Sequence, residues 1–249
     1  MDTNYSARDI QFSVGDVMGR TFSTIFKNPV LFLGLSAIPF AFLVASSLLA
    51  FIPGMADSPI AKGLGIPFAI FNVIVQGAVA HAAFESFMGN RVTIGNAFLR
   101  AASRTGRLVL LGLTAGLGIG LSALLFVFPC IILTCMWSVI IPSCVIEGLG
   151  VMDSLRRSRS LTKGYKWKIL ALLSLAGSMS MAIIFLVLGV IAVISYIFVG
   201  GNPVLLIIAA IAAVTFTNAM MNVMVGVMYC GLRSAKEGLV PADLANVFN

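Results

Sequence analysis

Residues 142–170 read Pro142-Ser143-Cys144-Val145-Ile146-Glu147-Gly148-Leu149-Gly150, then Val151-Met152-Asp153-Ser154-Leu155-Arg156-Arg157-Ser158-Arg159-Ser160-Leu161-Thr162-Lys163-Gly164, then Tyr165-Lys166-Trp167-Lys168-Ile169-Leu170. An apolar run ends at a carboxylate, a cation-rich helical segment follows, and a Trp flanked by lysines opens the next apolar run. A chain does this when it leaves a bilayer, lies along its surface and re-enters. Six of the sixteen Lys and Arg fall in this stretch.

Composition agrees. The chain is 59% hydrophobic and 10% charged, with a mean hydropathy of +1.06, where a soluble domain is about 25% charged. Its surface must therefore face lipid, and 249 residues accommodate about six spans of roughly 20 residues with short connections. That leaves no room for a soluble catalytic domain. Residues 1–29 carry Asp2, Arg8, Asp9, Asp16, Arg20 and Lys27 and show no removable signal peptide, so the first span is expected to be its own insertion signal. The four cysteines lie in apolar runs without paired spacing, and no disulfide, metal or cofactor is expected. The net charge of +7 comes without a soluble, aromatic-interleaved basic domain, which argues against nucleic acid and for anionic lipid headgroups.

From the amino end, Ser13 and Asp16 form a near capping box. Val14, Val17, Met18, Thr21, Phe22, Ile25 and Phe26 make the apolar or small face of an interfacial helix. The expected spans are Val30–Ile52 (kinked at Pro39), Ile66–Met88, Leu108–Phe128, Cys130–Ile146 with a reversal at Pro129, Ile169–Val199 and Val204–Leu232. Phe12-Ser13-Val14-Gly15-Asp16-Val17-Met18-Gly19-Arg20 reappears without a gap as Val92-Thr93-Ile94-Gly95-Asn96-Ala97-Phe98-Leu99-Arg100. Val151, Asp153, Arg157 and Ser160 restate it a third time. The expected fold is an all-α, polytopic bundle in one membrane domain: three units of surface helix plus two-span hairpin, over about 12–88, 92–146 and 150–232, with a tail at 233–249. Fifteen of the sixteen Lys and Arg fall in alternate connections and Lys62 alone in the others, which puts both termini and all three surface helices in the cytoplasm.

Pro129-Cys130-Ile131-Ile132, Pro142, Glu147-Gly148, Ser154-Leu155, Arg157-Ser158, Leu161-Thr162-Lys163-Gly164 and Trp167 together resemble the six-span bacterial membrane proteins related to the membrane domain of glycerophosphoryl diester phosphodiesterases. The resemblance implies the fold and an inner-membrane location. The family's catalytic domain, with its His and acidic metal ligands, has no counterpart in a chain with one His.

Several groups of residues invite a functional reading. Arg156, Arg157, Arg159, Lys163, Lys166 and Lys168, with Arg100, Arg104 and Arg107, are candidate lipid-headgroup contacts as well as topology determinants. Glu147 is expected to anchor the surface helix by an ion pair or cap. His81 and Glu85 stand one turn apart in the second span; they either bond each other or a surface-helix cation, or mark an ion or proton path, and no third metal ligand accompanies them. Asn72 with Gln76, and Asn218 with Asn222, each share a helix face and serve as glue between spans or line a polar path. Gly112, Gly116 and Gly120 are expected to give a close helix contact in a central third span. The leading expectation is a non-enzymatic protein that engages anionic lipid or a membrane partner through its basic face. The alternatives are a small transporter or channel between the second and sixth spans, and, with no convergent acid, base or metal set, a membrane-embedded lipid enzyme. A membrane-protein partner or a second copy of the chain is left open.

Overall fold

A computed structural model of the chain describes residues 12–41, 44, 58–59, 63, 65–88, 90, 92–125, 127–199 and 203–237. Among these residues the regular structure is all helical: α1 (Val14–Lys27), α2 (Pro29–Ala37), α3 (Gly65–Phe87), α4 (Ile94–Ala102), α5 (Thr105–Leu125), α6 (Val127–Trp137), α7 (Ile140–Glu147), α8 (Val151–Thr162), α9 (Lys166–Val199) and α10 (Pro203–Glu237). Five segments are long and apolar enough to cross a membrane: Gly65–Ser86, Thr105–Leu124, Phe128–Glu147, Lys166–Ile197 and Leu205–Glu237. This is the make-up of a multi-pass membrane protein. Of the expected first span, α2 is seen, and residues 42–43 and 45–52 lie outside the described set, as does the 200–202 turn.

Proline sets the helix boundaries. Pro29 and Pro142 each fall in the first turn of a helix, where a missing N–H removes no intrahelical bond. Pro129, where the reversal is expected, sits inside α6, and residue 126 between α5 and α6 lies outside the described set. The fourth span is not one helix. The ring of Pro142 cannot pack onto the carbonyl four residues back, that of Ser138, so the chain opens at Ser138-Val139 and α7 starts afresh at Ile140. Pro39 acts likewise on α2, whose end tightens as the Ile38 N–H donates to the Leu35 carbonyl at 3.3 Å. Gly148 ends α7 with φ of 74°, a left-handed cap that only glycine adopts without cost, and its N–H donates to the Cys144 carbonyl. Ser13 and Thr93 do occupy extended N-cap positions, but neither hydroxyl makes the expected capping hydrogen bond.

The centre of the bundle is α10, not α5. Met220, Val223, Met224, Val227, Met228 and Tyr229 are buried, and α10 packs against α9, α3, α1 and α2. Leu110, Leu113, Leu117, Leu121 and Leu124 of α5 are exposed. The reason lies in where small residues meet. A Cβ on Gly226 of α10 would come 2.9 Å from the Cβ of Ala83 and 3.3 Å from the backbone of Ala80, both in α3. On Gly77 of α3 it would come 2.9 Å from Val145. In lipid, where leucine gains nothing by leaving the acyl chains, such close approach is what holds helices together. By contrast, among the described residues a Cβ on Gly112 would only touch Val73 at 3.5 Å, and on Gly116 or Gly120 it would meet nothing within 4 Å. The glycine that matters on α5 is Gly118, which lies under the Trp137 ring of α6.

α9 is the outermost long helix, with little of its apolar length buried. Leu175, Met181, Phe185, Leu186, Val190, Val193, Ile194, Tyr196 and Ile197 all face outward.

Candidate functional site

The junctions between surface helices and spans gather at one end of the bundle. Phe12, just before α1, packs on Gly231 near the end of α10 and edge-on against Tyr165 before α9, with ring centroids 5.5 Å apart. The Nζ of Lys168 donates to the Phe12 carbonyl at 3.0 Å and lies 5.8 Å from the centre of the Tyr165 ring. The α4–α5 junction reaches the end of α7 through Arg104 and Arg107. The sequence thus folds so that its basic segments meet on one face.

That face contains a charge network that sequence alone showed only in part. Glu147, last residue of α7, accepts from Arg157 Nε at 2.9 Å and from the Tyr229 hydroxyl at 2.5 Å. The second arm of Arg157 donates to Glu237, which also accepts from Arg233 Nε at 2.8 Å. One guanidinium on α8 therefore bridges carboxylates at the ends of α7 and α10, a use of the fixed arginine fork that a lysine cannot reproduce. Burial would depress the Arg157 pKa, but its hydrogen bonds to Glu237 and Glu147 and their charges outweigh that, and it lies above the ordinary arginine value. The anchor role expected of Glu147 fits this geometry. Tyr229, Arg233 and Glu237 carried a signal only as a polar i, i+4 pattern ending an apolar run.

The network divides the expected headgroup contacts into two kinds. Arg157 is turned inward, 26% exposed at its side chain, and is a structural tie. Arg156 is 80% exposed; its one acidic neighbour, Asp153 at 3.7 Å, is itself 64% exposed, so the pair is weak. Arg159, Lys163, Lys166 and Lys168 are exposed too, and Trp167 stands out beside them at 84%. On the neighbouring helices, Arg100 is exposed, whereas Arg104 NH1 donates to the carbonyls of Cys144 and Val145 at 2.9 and 2.6 Å, and Arg107 NH1 to that of Gly148 at 3.1 Å. Two arginines thus donate to carbonyls at and just beyond the end of α7, where the helix dipole favours positive charge.

Within the spans, Gln76 Nε2 donates to Asn222 Oδ1 at 3.3 Å, and Asn222 Nδ2 to Asn218 Oδ1 at 2.6 Å. Three of the four expected amides form one ladder across α3 and α10, one turn and more from Gly226, and Asn72 lies half-buried a turn before Gln76. Amides bonded to each other across a tight helix pair act as glue. His81 Nε2 and Glu85 Oε1 are 3.6 Å apart, and Asn90 donates to the other Glu85 oxygen at 2.8 Å. Among the described residues no group of three or more His, Cys, Asp or Glu could hold a metal, and the four cysteines are free.

Comparison with protein-family models, curated proteins and solved structures gives no match to this chain.

Proposed function

We propose that this chain is a non-enzymatic, six-span bacterial inner-membrane protein, akin to the membrane domain of glycerophosphoryl diester phosphodiesterases, that retains anionic lipid against a basic cytoplasmic face. One observation carries the reading. The carboxylates Glu147 and Glu237 at this end are already bonded to Arg157 and Arg233, while Arg156, Arg159, Lys163, Lys166 and Lys168 are exposed in the same stretch as the outward-facing Trp167. Each such cation near an acidic leaflet contributes about 1 kcal/mol, less as salt rises, and the tryptophan favours the headgroup region.

Two further observations support three related units and a sixth span begun by α2. Val17, Ala97 and Ser154, at matching positions of the three repeats, are all buried, and so are Thr21, Ala101 and Ser158. Glu85, Glu147 and Glu237 stand at or near the ends of α3, α7 and α10, where each hairpin returns.

Arg156→Gln, Arg159→Gln and Lys163→Gln combined should lower the retention of acidic phospholipid through purification severalfold at low salt, with the difference from the parent shrinking as salt rises, at unchanged helical content. Arg157 is excluded because its loss would disturb the fold. A triple variant that keeps the parent's lipids at every salt concentration overturns the reading. Topology has its own test. In a cysteine-free background, Asp57→Cys should react with an impermeant maleimide from outside, and Ser160→Cys only after permeabilisation; the reverse pattern sinks the cytoplasmic assignment.

A further inference from the structure

The arginines at the α4–α5 elbow differ from those of the Glu147 network in their company. Arg157 and Arg233 have carboxylates; among the described residues none pairs with Arg104 or Arg107. Two part-buried bonds from NH1 hold Arg104 against the carbonyls of Cys144 and Val145, and a single exposed bond ties Arg107 to that of Gly148. An arginine has five N–H donors, so Arg104 keeps three and Arg107 four beyond those bonds. Carbonyls position a guanidinium without cancelling its charge. Two positive charges with unused donors then line a recess of about 390 Å³, together with Ser103 and Gly106. Among the described residues a Cβ on Gly106 would meet nothing within 4 Å, which leaves the backbone there open to approach.

We infer that this recess binds a phosphate group, carried by an anionic phospholipid headgroup or present as a free phosphate. A phosphate offers several acceptor oxygens to paired arginine forks, the geometry in which such contacts are strongest. The inference deepens the lipid-binding reading and, for the headgroup source, rests on it. It places one tight site at the elbow, apart from the diffuse attraction of the α8–α9 cations.

Gly106→Leu fills the recess without changing charge, and Arg107→Gln removes one guanidinium while leaving Arg104 on α7. Each is compared with the parent and with the α8 triple variant by native mass spectrometry with added phosphatidylglycerol or phosphatidylcholine, and by melting with inorganic phosphate. The expected result is an affinity for phosphatidylglycerol lowered about tenfold in both elbow variants, the difference made by losing charge-assisted bonds to one group, with melting of the unliganded Gly106→Leu protein unchanged. If the elbow variants hold phosphatidylglycerol as tightly as the parent while the triple variant does not, the recess is overturned and the lipid reading stands. If inorganic phosphate raises the melting temperature of the parent but not of Gly106→Leu, and phosphatidylglycerol binds no better than phosphatidylcholine, the recess stands with free phosphate as its ligand and the lipid reading falls. If neither probe distinguishes parent from Gly106→Leu, the inference is wrong.

Discussion

Gly226→Leu is expected to prevent recovery of a folded, monodisperse protein, while Gly116→Leu leaves the melting curve where it was. At Gly226 a first side-chain carbon already lies 2.9 Å from Ala83 Cβ and 3.3 Å from the Cα and carbonyl oxygen of Ala80. None of those atoms can rotate aside, so α3 and α10 must separate. Separation would also break the Gln76–Asn222 bond between the same helices. Overpacking of an ordinary core costs about 1–3 kcal/mol, and here rigid backbone raises the figure while the lost amide bond adds about 1 more. At Gly116 there is open space among the described residues, and a leucine joins the exposed leucines of α5. Equal losses in the two variants, read by thermal melting in detergent, would mean that α5 rather than α10 is the centre of packing.

Arg157→Met should give the second largest loss, about 1–3 kcal/mol, because the bridging cation leaves two part-buried carboxylates behind. The side chains of Glu147 and Glu237 are 14% and 26% exposed, so solvent relieves only part of the cost. Arg157→Lys retains the charge but cannot reach both carboxylates with one rigid fork, and should fall between parent and Arg157→Met. Adding Glu147→Gln to Arg157→Met should recover part of the loss, since one orphaned charge is gone. Melting temperature, together with protease access to the α8–α9 turn, reads all three. A double variant no more stable than Arg157→Met would show that Glu147 acts through Tyr229 alone.

The spans were legible because an apolar run of sufficient length has one physical solution in lipid, and the junctions because prolines and charges punctuate those runs. What the periodicity left out was depth. The Gly112, Gly116 and Gly120 stripe has the spacing of a packing face, yet a stripe of small residues packs only if a second helix brings its own small residues to it. Ala80 and Ala83 offer that to Gly226; nothing described offers it to Gly116. The site was visible as a cluster of cations, but its sorting was not. Arg156 and Arg157 are neighbours in sequence and about 100° apart around a helix, and that rotation alone sends one to solvent and the other to Glu147 and Glu237. Arg104 looked like one more headgroup contact; its bonds to the end of α7 depend on a junction 40 residues away.

The lengths of the helices carry a consequence for the bilayer itself. At 1.5 Å per residue, the uncharged run Ile169–Val199 of α9 extends about 46 Å, whereas α5, with 21 residues, extends about 31 Å, close to the thickness of a hydrocarbon core. One flank of the molecule fits the membrane while the other is longer than it. A rigid α9 crossing a core of about 30 Å would have to lean by about 50°, steeper than the usual range, and thickening the lipid instead costs fractions of a kcal/mol for each ångström of mismatch. Either response falls on one side only and would strain the surrounding leaflets asymmetrically. A second long, outward-facing helix brought alongside α9 would relieve that strain for both, and thicker membrane would favour the protein over thin.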